Sequence, residues 1–101
     1  MGLVNSKYDN ILCETVVMHL QRDQIVEAIQ NIKGILNNNG ILYLSWRVTE
    51  GEDFRNKDGR LYSAFEPDLI LSQFPKASIL YFEDATSVSS GKRVCRLVHK
   101  A

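Results

Sequence analysis

The chain has 101 residues, 45% of them hydrophobic, with twelve basic and twelve acidic side chains interspersed along it. That content is ordinary for a globular protein and argues against disorder, and a chain this long makes one domain, burying roughly two-thirds of its unfolded surface. Balanced charge gives neither a nucleic-acid footprint nor a polybasic membrane surface, and no apolar run approaches the roughly 18 residues that span a bilayer. The opening stretch MGLVNSKYDN lacks the apolar core of a signal peptide. Cys13 and Cys95 stand far apart with no CxxC partner, so free thiols in a reducing, cytoplasmic setting are expected, with no metal site.

Taken in chain order, Tyr8 to Cys13 reads as a short strand that runs into the apolar patch Val16, Val17 and Met18. From Asp23 the period changes: Ile25, Ile29, Ile32 and Leu36 recur at helical steps, with Val26, Ala28 and Ile35 widening the stripe. Asp23 falls in the first turn, where a negative charge suits the helix dipole. Asn37, Asn38, Asn39 and Gly40 are expected to end the helix, since Asn and Gly tolerate the left-handed C-cap.

Ile41 to Trp46 follows as a second strand. Strand, helix and strand with short connections make a βαβ unit, so the two strands should run parallel. Residues 47–65 are polar and carry two glycines, which predicts a loop or flexible flap. Glu66-Pro67-Asp68 restarts a helix with Pro67 at its first position; Leu69, Ile70 and Phe74 give it an apolar side and Pro75 stops it. Ser78 to Glu83 and Arg93 to His99 flank the turn-rich DATSVSSGK, the pattern of a hairpin.

Three segments then carry a resemblance. YDNILCETVVMHL has a Tyr-Asp opening, an apolar strand, a small polar tip and an apolar-His-Leu sequel; ILNNNGILYLSWR and DGRLYSAFEPDLILSQF follow in matching order. Together they resemble the second half of class I S-adenosylmethionine-dependent methyltransferases. The resemblance implies an α/β, partial Rossmann-like sheet of about four strands, two parallel and an antiparallel C-terminal hairpin, with two helices mainly on one face. It implies methyl transfer to a small molecule, with S-adenosylmethionine as cofactor. The tip Cys13, Glu14 and Thr15 would then face the cofactor, and His19 and Arg47 are the candidates for a base and an anion clamp at the same cleft.

The family's glycine-rich loop has no counterpart: the glycines stand at 2, 34, 40, 51, 59 and 91 and no pair forms GxG. Such glycines let the backbone approach the cofactor, so this chain alone is expected to be inactive and not to bind S-adenosylmethionine. The alternative is a non-catalytic truncated or split module that homodimerises or pairs with a separate N-terminal half. Two features favour association: the strand at Tyr8 to Cys13 would be an open edge, and one sheet face, through Ile41 and Tyr43 or through Leu42 and Leu44, would lack cover. Trp46 is expected in the core, His99 has no assigned role, and Asn56, Asp58 and Gly59 cannot form a calcium loop because Phe54 and Phe65 fall at its ligating ends.

Overall fold

A computed structural model describes residues 7–86, 88 and 91–101. Met1–Ser6, on which most of the signal-peptide expectation rests, and most of the turn at 87–90 lie outside the described residues.

Strand β1 (Tyr8–Glu14) leads through a 3-10 turn (Val17–His19) into helix α1 (Arg22–Gly34). Of the apolar patch, Val17 and Met18 are buried while Val16 is exposed. Gln21 caps α1 in a reciprocal box with Gln24, satisfying backbone donors that the first turn leaves free. Ile25 and Ile29, one turn apart, are fully buried.

The helix ends earlier than expected. Gly34 is its last residue, Ile35 turns, and Leu36 already belongs to strand β2 (Leu36–Arg47). Asn37–Gly40 therefore form an irregular start to β2 rather than a C-cap. The register jumps there: Leu36 to Ile41 spans only Tyr8 to Asn10 on β1. Asn39 absorbs the excess with a left-handed φ of 64°, a conformation Asn tolerates better than most residues. Gly40 is buried, and a Cβ there would lie 2.8 Å from both Asn37 O and Leu36 Cδ1. The C-terminus closes over this bulge, Ala101 N donating to Gly40 O at 2.9 Å and Asn39 N to Ala101 O at 3.1 Å.

Residues 47–65 contain a small hairpin, β3 (Phe54–Arg55) with β4 (Leu61–Tyr62), and a bridge from Thr49 to Ala64. Helix α2 (Asp68–Leu71) follows with Pro67 at its N-cap, one position before the place expected. A 3-10 turn (Lys76–Ser78) then leads to β5 (Ile79–Thr86) and β6 (Arg93–Lys100).

The four-stranded sheet runs β1-β2-β6-β5. β1 and β2 are parallel, and β6 lies antiparallel between β2 and β5. Alternation sorts the side chains by face. Leu42, Leu44, Trp46, Cys95 and Leu97 share one core with Ile25 and Ile29 of α1 and with Ile70 and Phe74, so both helices cover that face. The other face stays open: Leu12, Tyr43, Val98 and Tyr81 stand opposite one another across the four strands. Leu12, Tyr43 and Tyr81 keep 66%, 44% and 49% exposure. The uncovered set is thus the one containing Tyr43, and Leu42 and Leu44 are buried. Among the described residues, no helix is long and apolar enough to cross a membrane.

Candidate functional site

In open α/β sheets ligands gather at the carboxyl ends of the parallel strands. Here those ends are the β1 tip, Cys13–Thr15, and Arg47 at the end of β2. Strand alternation separates the tip residues. Cys13 is half-buried against the core, where burial pushes its thiol pKa up. Glu14 faces the open side and lines a groove of about 190 Å3 with Leu12, Tyr43, Tyr81 and Arg96. Thr15 turns the chain at φ 49°, and its N–H donates to Ser45 O at 2.9 Å. A β-branched residue in the left-handed region is a genuine outlier, and it sits at the strand tip.

His19 and Arg47 are brought together through Tyr62, a residue the sequence pattern did not single out. The His19 ring meets Tyr62 edge-on at 4.8 Å, Phe54 stacks parallel on Tyr62 at 4.8 Å, and the Arg47 guanidinium carbon lies 5.2 Å from the same ring. A cation over a tyrosine face is held by the ring's quadrupole. His19 Nδ1 is 2.8 Å from Leu61 O. A carbonyl only accepts, so Nδ1 donates, and in the Nδ1–H tautomer Nε2 is left as an acceptor.

The hairpin that carries Tyr62 is fixed to the start of α1. Arg22 Nη1 donates to Asp53 Oδ1 and to Ala64 O, both at 2.8 Å, and Ala64 N donates to Asp53 Oδ1 at 2.7 Å. The Ala64 amide, with the Arg22 guanidinium, holds the Asp53 carboxyl below its usual pKa. Ser63, fully buried, donates its hydroxyl to Leu20 O, and its N–H bonds Met18 O at 2.9 Å. A cleft of about 570 Å3 opens between this hairpin and α1, lined by His19, Gln24, Arg55, Asn56, Asp58 and Arg60 among others. Trp46 is fully buried and tilted against Phe82 at 6.4 Å; it belongs to the core, as expected.

No family model and no curated protein matches the sequence. Solved structures do match its fold. A 1,6-didemethyltoxoflavin-N1-methyltransferase from Burkholderia thailandensis, with 1,6-didemethyltoxoflavin and S-adenosylhomocysteine bound, superposes with a TM-score of 0.72 at 16% identity, over 94% of this chain and 44% of that one. An S-adenosylmethionine-dependent methyltransferase from Clostridium acetobutylicum gives 0.71 at 12% identity, over 97% of this chain and 60% of that one. This chain carries part of a class I methyltransferase fold. The same methyltransferase fold also matches the 4+2 cyclase SpnF, with a TM-score of 0.66, 14% identity, and coverage of 99% of this chain and 52% of that one; fold alone therefore does not fix the reaction. The chain spans about half the length of these structures.

S-adenosylmethionine is the group this methyltransferase fold implies, and the described residues offer no glycine-rich turn for it. The glycines among the described residues stand at the end of α1, in the β2 bulge, in the 47–65 segment and before β6. None of them lies at the carboxyl end of β1, and the chain has no GxG pair to admit a cofactor backbone-close.

Proposed function

We propose that these residues form the acceptor side of an S-adenosylmethionine-dependent methyltransferase acting on a small molecule, inactive without a glycine-loop portion to hold the cofactor. The strand order β1-β2-β6-β5, with the last strand inserted antiparallel, carries this reading. Support comes from the Burkholderia structure, whose bound 1,6-didemethyltoxoflavin is a small molecule. His19, Arg47 and Tyr62 converge beside the carboxyl ends of β1 and β2, where an acceptor would be positioned. The chemical driving force would come from the cofactor's own sulfonium, leaving this portion to align the acceptor. Isothermal titration of the 101 residues with S-adenosylmethionine is expected to show no micromolar binding. A micromolar dissociation constant would refute the need for a second portion.

A second reading shares the same geometry: a non-catalytic module that homodimerises or pairs with a separately encoded N-terminal half. The open row Leu12, Tyr43, Val98 and Tyr81, next to the edge strand β1, favours it. Light scattering is expected to report a mass above that of the 11.5 kDa monomer.

A further inference from the structure

The cleft between the start of α1 and the β3–β4 hairpin is polar, yet its charges are not balanced by its own partners. Arg55 Nη1 donates to Gly59 O at 2.8 Å and makes no ion pair, and the Arg60 side chain has no bonded partner among the described residues. One carboxylate, Asp58, lines the same cleft. Two guanidiniums against one carboxylate leave the cleft cationic.

The turn that presents them is built by local bonds rather than by chance of side-chain reach. Asn56 Oδ1 accepts from Asp58 N at 3.0 Å and from Arg60 N at 2.9 Å, and Asn56 N donates to Arg60 O at 3.0 Å. Gly59 closes the turn at φ 82°. His19 lines the same cleft, and with Nδ1–H given to Leu61 O its Nδ1–H tautomer keeps Nε2 as an acceptor. A hydroxyl donor suits that nitrogen. A planar carboxylate suits guanidinium forks, which bind it through paired N–H groups.

We propose that this cleft binds a hydroxylated small-molecule carboxylate, its carboxylate held by Arg55 and Arg60 and its hydroxyl donating to Nε2 of His19. The proposal rests on the methyltransferase reading only for the use to which the ligand is put. Binding itself needs no cofactor, so its test fails or succeeds apart from that reading.

The test is an NMR titration of the full chain with 4-hydroxybenzoate, benzoate and phenol, following the His19 ring and the arginine side chains. 4-Hydroxybenzoate is expected to bind at least tenfold tighter than phenol and severalfold tighter than benzoate. Arg60→Gln and Arg55→Gln should each weaken both carboxylates at least threefold. Lys57→Gln removes the same charge from the same hairpin outside the cleft and should leave them unchanged. His19→Asn keeps a side-chain donor for Leu61 O and lacks Nε2; it should lower 4-hydroxybenzoate to the affinity of benzoate and leave benzoate as it was. Equal binding of phenol and 4-hydroxybenzoate would overturn the proposal. So would an equal effect of Lys57→Gln and Arg60→Gln, or an absence of binding at millimolar ligand.

Discussion

His99 shows how a single side chain acquires a role that its place in the sequence does not announce. It is 4% exposed, its ring lies tilted at 47° with its centroid 4.6 Å from that of Phe74, and its Nδ1 lies 2.9 Å from Ser78 Oγ. The Ser78 hydroxyl already gives its one proton to Pro75 O at 2.6 Å, so Nδ1 is the donor to Ser78 Oγ. Burial, and then the Lys33 ammonium, lower its pKa from the usual value near 6.5. A base with a depressed folded pKa favours the fold fully above that usual value. Stability falls as pH drops through 6.5 towards the folded pKa and then levels off. The urea midpoint is expected to drop between pH 7.5 and pH 5, and His99→Gln should flatten that part of the dependence. Gly40 is the other residue whose identity is set by its neighbours. Gly40→Ala would press a methyl against Asn37 O and Leu36, and Asn37 O is backbone that cannot swing aside. The loss should be about 1–3 kcal/mol in chemical unfolding, whereas Gly34→Ala, with nothing within 4 Å of the added carbon, should be neutral or stabilising.

The elements that sequence patterning found are the ones with a long period. Ile25 and Ile29 fix α1, and alternation along Leu42, Leu44 and Trp46 fixes β2, because each repeats often enough to stand above composition. The hairpin β3–β4 does not: two strands of two residues each offer no period, and a polar composition looks the same in a loop. Its order comes from contacts distant in sequence, chiefly Arg22 with Asp53 and Ala64, and Ser63 with Met18 and Leu20. For the same reason Tyr62 escaped notice, since only the folded hairpin sets it between His19, Phe54 and Arg47. The pin makes a prediction for this element alone. Asp53→Asn removes the charge that receives both Arg22 and the Ala64 amide. Amide exchange at Ala64 should then quicken at least several-fold, with exchange in α1 and β6 unchanged. In the unaltered chain the same release should occur in acid. A carboxyl with a lowered pKa gives its contribution above its ordinary pKa near 3.8 and loses it as pH falls through the still lower folded value. Unchanged exchange at Ala64 in Asp53→Asn would show that the hairpin is held by its aromatic stack instead.

At the scale of the whole molecule the sheet is two-faced, and the asymmetry has a consequence. One face is sealed by α1 and α2 over Leu42, Leu44, Trp46 and Leu97; the other presents Leu12, Tyr43, Val98 and Tyr81 in a row, bordered by Glu14, Ser45, Arg96 and Glu83 in the adjoining register. The sequence left open which residues of β2 would be bare, because a strand's alternation says that its two faces differ and not which of them meets the helices. A monomer that exposes such a row has an interface-like apolar patch, beside an edge strand whose outer side has no ladder partner among the described residues. Aromatic residues at the centre of an interface contribute most to affinity. Tyr43→Asp places a charge in the middle of the row, where any covering partner would have to desolvate it. Self-association measured by sedimentation should weaken tenfold or more, about 1.4 kcal/mol, while circular dichroism and the urea midpoint stay close to those of the parent, since Tyr43 stands exposed on the face of β2 opposite the buried Leu42 and Leu44. Val16→Asp is the matched control: Val16 is exposed to a similar degree but sits after the β1 tip, off the row. Equal weakening by both substitutions would point to general charge repulsion and remove the open face as the site of association. A parent chain that sediments as a monomer at every concentration would remove association itself.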